Sequence, residues 1–302
     1  MISIIVCSRT EKVSESFEQN IAQNIGVEYE IVCIDNSNND HTIYSAYNKG
    51  IKLSKYDNLC LVHEDVKFTS KDFGKKIIQH VNRPNVGLCG LAGCDILSRI
   101  PSIWGSKDFY ANIIESDVNE KIPSRLFYEP KNYNSSFRPV LLLDGVILCA
   151  KKSVFDTIQF DESLGRFHGY DYDISIQSFI AGFTNIVMYD IELEHFSKGT
   201  MNLDYLQTIE RIYKKWEKFI PLFERNITEE KKQKMIKEVE IKRLDKLFKT
   251  YIRCNADYIL IREKISYYSQ LAGVRSIYKY NYIIFASWFF NKTVSRFRNK
   301  MI

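Results

Sequence analysis

No two cysteines of this chain are spaced C-x-x-C, and the seven present (Cys7, Cys33, Cys60, Cys89, Cys94, Cys149 and Cys254) are odd in number. A disulfide framework is therefore not expected. Cys7, Cys33, Cys60, Cys89 and Cys149 lie in or beside apolar strand-like runs, which suits buried, reduced thiols in a cytoplasmic protein. A basic, cleavable leader is also missing, since the first residues enter a strand at once, so no secretory signal is expected. The apolar run Tyr282–Phe290 falls far short of the roughly 20 residues that span a bilayer. Internal repeats and low-complexity tracts are absent. Glycine is lacking in Ser8-Arg9-Thr10-Glu11-Lys12, after the first apolar run, which argues against a glycine-rich phosphate loop there.

What is present describes a globular chain. Its 302 residues suffice for one large domain or a domain with an appendage. Hydrophobic residues make up 45% and charged residues 26%, both ordinary. Nineteen Tyr and nineteen Phe make it aromatic-rich, a trait more often of cores than of stacking surfaces. The net charge of +5 hides an asymmetry: Glu229–Ile302 holds 17 Lys/Arg against 7 Asp/Glu, while the rest holds 25 against 30. A basic tail on a mildly acidic body points to an anionic contact, or to a solvated helical face. No recognisable nucleic-acid motif accompanies the charge, so nucleic acid is not expected as a partner. Tyr278–Lys300 interleaves aromatics with Lys279, Lys292, Arg296, Arg298 and Lys300. That composition suits an interfacial helix on an anionic membrane, and equally a homodimer interface or a cover over a sheet.

Strand-like and helix-like segments alternate over the first part of the chain. Strands are expected at Ile2–Cys7, Val27–Ile34, Asn58–Val62 and Asn85–Gly90. Helices are expected at Glu11–Asn24, at His41–Leu53 capped by Asp40, and at Ser70–Val81 capped by Ser70. This alternation predicts βαβ units and a largely parallel sheet. Asp95–Pro139 breaks the pattern, with scattered aromatics and prolines and no clean period. Val140–Leu143 and Val146–Ala150 read as one strand interrupted by Asp144-Gly145; Asp171–Ala181 reads as a helix and Thr184–Tyr189 as the last clear strand. From about Asn202 the chain reads as helical, with candidates at Asp204–Phe219, Thr228–Lys249 and Asn255–Leu271.

Carboxylates and histidines gather where such a sheet would hold them at one edge. Asp35 and His63-Glu64-Asp65 follow the apolar runs Glu30–Ile34 and Leu59–Val62. The crevice outside the carboxyl ends of the strands is where ligands bind in open α/β sheets. Acidic groups there are poor core residues and good metal or base candidates. Asp144 interrupts a strand, where a carboxylate is expensive unless it is used. Asp171 and Asp173 stand at a helix start, where the dipole favours an ionised carboxylate, although plain helix-start carboxylates are common.

Several motifs together resemble the nucleotide-sugar half of inverting glycosyltransferases with the GT-A fold. They are Ile4-Ile5-Val6-Cys7-Ser8-Arg9, Ile34-Asp35-Asn36-Ser37, Ala46-Tyr47-Asn48-Lys49-Gly50 and Val62-His63-Glu64-Asp65-Val66. Val86–Gly93 followed by Trp104, Leu143-Asp144-Gly145, Phe160-Asp161-Glu162, Phe167–Asp173 and His195–Gly199 narrow the likeness, as does Lys215-Trp216 before Pro221. The set is similar to the glycosyltransferase-like family typified by a streptomycin-biosynthesis protein, over roughly residues 1–222. The resemblance implies that Asp35, with Ser8, Arg9 and Asn36, binds the nucleotide. It implies a divalent ion, Mn²⁺ or Mg²⁺, on Asp65 and His195, and a catalytic base at Asp171. Asp144, with Gly145, is placed near donor sugar or acceptor; Trp104 and His168 would shape the acceptor pocket or equally serve packing, and Asp173 would bind acceptor hydroxyls or cap its helix. GT-A enzymes usually carry Asp-x-Asp where this chain has His63-Glu64-Asp65; the first carboxylate is replaced, and His63 also reads as a plain strand-end residue.

The expected architecture is thus α/β: a GT-A type, mostly parallel sheet flanked by helices in residues 1–222, followed by a helical, basic region in 223–302. The expected activity is transfer of a sugar from a UDP- or dTDP-sugar to a glycan hydroxyl, with the glycan free or lipid-linked. The setting would be cell-surface polysaccharide synthesis, in the cytoplasm or peripherally on the inner face of the membrane. The alternative is a non-catalytic homologue that binds nucleotide-sugar or glycan.

Overall fold

β1 (Ile2–Ser8) is uncharged and rich in isoleucine and valine, and all of it except Cys7 is buried. That is the mark of a strand covered on both faces. The computed structural model describes residues 1–101, 109–116, 124–128, 135–196 and 202–273. After β1 come α1 (Glu15–Asn24), β2 (Tyr29–Asp35), α2 (Ile43–Leu53), β3 (Asn58–Val62), β4 (Val66–Phe68), α3 (Phe73–Val81) and β5 (Val86–Gly90). β6 (Ala92–Cys94), β7 (Ile96–Leu97), β8 (Phe109–Glu115), β9 (Ser124–Tyr128), β10 (Phe137–Val140), β11 (Leu142–Leu143) and β12 (Ile147–Lys151) follow. The chain then forms α4 (Tyr170–Ile180), β13 (Thr184–Met188), β14 (Leu193–His195), α5 (Leu203–Lys215), β15 (Leu222–Phe223), α6 (Glu229–Arg253) and α7 (Tyr258–Leu271).

Two compact units result: Met1–Ile96 with Asp108–Gly199, and Leu97–Lys107 with Thr200–Ile302. The first is built on a seven-stranded sheet of order β10-β13-β5-β12-β3-β1-β2. β1, β2 and β3 run parallel, so Ser8, Asp35 and His63 emerge at one edge. β12 runs antiparallel to β3, with Ile147 opposite Val62, and therefore begins at that same edge. A second sheet, of order β11-β6-β8-β14-β4, carries β14 beside β4. Side chains such as Ile4, Val6, Val62, Ile77, Ile147 and Met188 form one core. Each contributes about 1.5–3 kcal/mol by burial. Within it Cys149 on β12 lies opposite Cys60 on β3 and Cys89 on β5. All three thiols are fully buried. In the second unit Leu206, Leu244, Leu247, Phe248, Ile261 and Ile265 form a separate core. Among the described residues no helix is long and apolar enough to cross a membrane.

The alternating first half folds as the periodicity predicts, and the sheet is mixed because β10 and β12 enter it antiparallel. Three local expectations change. α2 is capped by a Thr42–Ser45 capping box rather than Asp40. α3 starts after Asp72, while the Ser70 hydroxyl accepts the Glu192 N–H. The interrupted strand is two strands: β11 pairs with β6 in the second sheet and β12 with β3 in the first. Asp144-Gly145 is the crossover between the sheets. Strand structure also runs through the segment that lacked a period. There β8 buries Asn112, whose amide donates to the Tyr189 and Ile191 carbonyls.

Candidate active site

The strand-end edge is held together by Glu64. Its carboxylate accepts from the Ser8 hydroxyl at 2.7 Å, from Arg9 Nε at 2.5 Å and from the Arg9 backbone N–H at 3.2 Å. Ser8 lies opposite Asp35 in the β1–β2 register. Asp35 itself is exposed, and the Ser37 N–H at 2.9 Å holds its carboxyl below the usual range. The Asn36 amide is committed to both the N–H and the C=O of His41, closing the loop after β2.

His63, Asp65 and His195 converge beside this edge. The His63 N–H donates to the Val146 carbonyl, carrying the β3–β12 ladder one step past the strand. β14 pairs antiparallel with β4, setting His195 opposite Val66, and the Phe196 N–H donates to the Asp65 carbonyl at 3.0 Å. His195 Nε2 consequently lies 3.6 Å, and His63 Nδ1 3.9 Å, from Asp65 Oδ1. Among the described residues these three form a group whose ligand atoms all lie within 4.8 Å of one another. Two imidazoles and one carboxylate suit a divalent transition ion, and favour Mn²⁺ over Mg²⁺. Burial, and next the His195 ring, hold the His63 imidazole below its usual pKa, in the neutral form a metal needs. Asp65 and His195 are thus brought together, and His63 is the member that sequence reading left aside. The signal was its place directly after the apolar run of β3, two residues before Asp65.

Asp144-Gly145 stands next to this cluster. α4 begins after Gly169, whose φ of 74° lies in the left-handed region open to glycine. Asp171, in its first turn, accepts the Gly145 N–H at 3.1 Å and the Tyr172 N–H at 3.0 Å. Only 7% exposed, its carboxyl is pushed up to about 7, first by burial and then by the charge of Asp144. A carboxylate near that value is well matched to general-base work at neutral pH. The Tyr170 hydroxyl donates to the Gly145 carbonyl at 2.8 Å and lies 2.7 Å from His63 Nε2. A cavity of about 290 Å³, lined by Ser14, Asn20, Glu64, Asp65 and Phe196 among others, opens beside Asp65.

The remaining candidates lie differently. Asp173 is buried and accepts from Gln177 Nε2 one helical turn on. The His168 carbonyl accepts from the Tyr44 hydroxyl. Trp104, Ser197–Gly199 and the basic aromatic tail lie outside the described residues. A larger cavity of about 610 Å³ belongs to the second unit, where Tyr251, Tyr268 and Lys264 already bind the Glu210 carboxylate in its wall.

A solved structure described as GalNAc-T7 with UDP, GalNAc and Mn²⁺ aligns with 92% of this chain and 58% of its own, at a TM-score of 0.50 and 11% identity. The chain therefore spans 58% of the length of that protein. A structure of A197 from STIV covers 65% of this chain and 86% of its own, at a TM-score of 0.38 and 13% identity. Compared with curated proteins by sequence, the chain has no match. The sheet, its flanking helices and the strand-end cluster define a protein of the GT-A fold. A family model described as "Glycosyltransferase like family" matches residues 3–214, and the chain belongs to that family. Family and fold together support a glycosyltransferase.

Proposed function

We propose that the chain is an inverting glycosyltransferase that moves a sugar from a UDP- or dTDP-sugar to a hydroxyl of a free or lipid-linked glycan in cell-surface polysaccharide synthesis. The observation that carries this reading is the cluster of His63, Asp65 and His195 standing beside Asp144 and Asp171 at the strand-end edge. His63, Asp65 and His195 would hold a divalent ion, Mn²⁺ or Mg²⁺; such an ion, when bound, offsets charge on the departing diphosphate. The UDP and Mn²⁺ named for the solved GalNAc-T7 support that choice of donor and ion. Asp171 takes the proton of the acceptor hydroxyl as its oxygen bonds the anomeric carbon and the bond from that carbon to the diphosphate oxygen breaks. Asp35, with Ser8, Arg9 and Asn36, contacts the nucleotide. Asp144, Gly145, Trp104, His168 and Asp173 border donor sugar and acceptor. Residues 1–222 form the transferase, of the branch typified by a streptomycin-biosynthesis protein. Residues 223–302 form a basic region that rests on an anionic membrane surface at the cytoplasmic face, or pairs two copies.

Thermal unfolding in the presence of nucleotide-sugars, with and without Mn²⁺, tests the donor, because a ligand bound only by the folded state raises its stability. A UDP- or dTDP-sugar that raises the melting temperature more with Mn²⁺ present supports the reading. The absence of any such shift refutes it. Binding without donor turnover would instead favour the non-catalytic homologue, for which the exchange of the usual first carboxylate for His63 is the supporting observation.

A further inference from the structure

We propose that Tyr170 is a positioning residue. It fixes His63 as the Nε2–H tautomer and so presents the bare Nδ1 to Asp65 and His195, making the cluster selective for a transition ion such as Mn²⁺ over Mg²⁺. This rests on the metal reading above. A tyrosine hydroxyl carries one hydrogen and a carbonyl can only accept. The Tyr170 hydrogen is committed to the Gly145 carbonyl, 2.8 Å away. In the 2.7 Å contact with His63 Nε2 the imidazole must then be the donor. A neutral imidazole has a single N–H, so Nδ1, the nitrogen 3.9 Å from Asp65 Oδ1, is left with its lone pair. Orientation of a ligating histidine through its other nitrogen is how neighbours tune a metal site.

Packing holds the relay rigid. Tyr170 is 5% exposed, with the rings of Tyr44 and Tyr47 edge-on at 6.2 and 5.6 Å. A Cβ at position 145 would meet the Tyr170 hydroxyl oxygen at 2.2 Å, so glycine alone admits the hydroxyl. The N–H of the same Gly145 goes to Asp171. One residue thus anchors the metal cluster through its carbonyl and the proposed base through its N–H. With Nδ1 of His63 and the His195 ring both in the cluster, nitrogen donors outnumber the carboxylate, which disfavours a hard ion such as Mg²⁺.

Tyr170→Phe removes the hydroxyl and keeps the ring. Long-range ¹H–¹⁵N spectra of the histidine rings, with His63 assigned by its loss in His63→Ala, read the tautomer in metal-free protein. Wild type should show His63 as Nε2–H, and Tyr170→Phe should show a mixture or the Nδ1–H form. Mn²⁺ titration followed by electron paramagnetic resonance should show affinity weakened about 10- to 100-fold in the variant. Mg²⁺ competition should change less. An Nδ1–H His63 in wild type overturns the proposal whether or not the variant folds. So does a folded Tyr170→Phe with wild-type Mn²⁺ affinity. Failure of the metal reading looks different, because wild type would then bind no Mn²⁺ at all.

Discussion

Asp171→Asn separates the chemistry proposed for this site from the energetics of holding it. The side chain keeps its shape and loses its capacity to take a proton. Sugar transfer should fall by roughly 10²–10⁴-fold, the usual worth of a general base, while Mn²⁺ and nucleotide affinity persist. In wild type the rate should rise as pH increases through about 7, where the Asp171 carboxyl ionises. Stability should move the opposite way. The folded protein holds this carboxyl above its ordinary value, so its contribution is fully present below about pH 4 and is lost as pH rises through about 7. Raising the carboxyl from 3.8 to about 7 corresponds to at most about 4 kcal/mol. Asparagine escapes that loss, but its amide NH₂ replaces one oxygen that now accepts the Gly145 or Tyr172 N–H. Leaving one such donor unpaired costs about 1–3 kcal/mol. The variant should therefore melt below wild type near pH 4, and match or exceed it at pH 8. Calorimetry across that range and a donor-turnover assay on the same samples check both halves. A melting difference that does not change with pH, or near-complete transfer by the variant, would refute the reasoning; in the latter case Asp144 is the next candidate for the base.

Chelation with EDTA should abolish donor turnover and added Mn²⁺ restore it, and Asp65→Ala should lose metal-dependent UDP binding in calorimetric titration; full turnover in EDTA counts against the cluster. Gly145→Ala should destabilise the fold by about 1–3 kcal/mol, read by denaturant unfolding, because the new methyl would lie 2.2 Å from the Tyr170 hydroxyl oxygen unless the ring moves. If the basic region meets an anionic surface, removing residues 229–302 should weaken co-sedimentation with anionic vesicles, and salt should weaken it in the full chain by screening; equal binding to neutral vesicles argues otherwise.

Sequence reading was strongest where local signals and the fold agree. β1 and β3 are continuous apolar runs, and α2 and α3 carry clear amphipathic faces. Asp35 stood out at the end of β2, and Asp65 because it lies shortly after β3. Three-residue strands escape this kind of reading: β4 and β14 are too short to establish a period, yet their pairing brings His195 to Asp65. β8 was hidden by Asn112, a polar residue buried in mid-strand by two carbonyl partners. Asp144 was legible as an anomaly, but its place at a crossover depends on which sheet each flanking strand joins. The Tyr170 contact with His63 joins residues 107 positions apart and depends on a hydroxyl that nothing in the local pattern singles out.

The row of three thiols across β3, β12 and β5 gives the protein a built-in clock for its own opening. Cys60, Cys89 and Cys149 are wholly inaccessible and sit on neighbouring strands in the middle of the sheet. Burial raises the Cys89 and Cys149 thiols well above their ordinary range, which suppresses the reactive thiolate while the sheet is closed. An alkylating reagent can reach them only when the central strands part, an event whose free energy approaches that of global unfolding. Half-exposed Cys7 on β1 and Cys33 on β2, towards the sheet's other end, should be labelled earlier, as smaller fluctuations uncover them. The labelling times of the two sets would then rank, on one molecule and without any introduced probe, the durability of the sheet's centre against that of its margins.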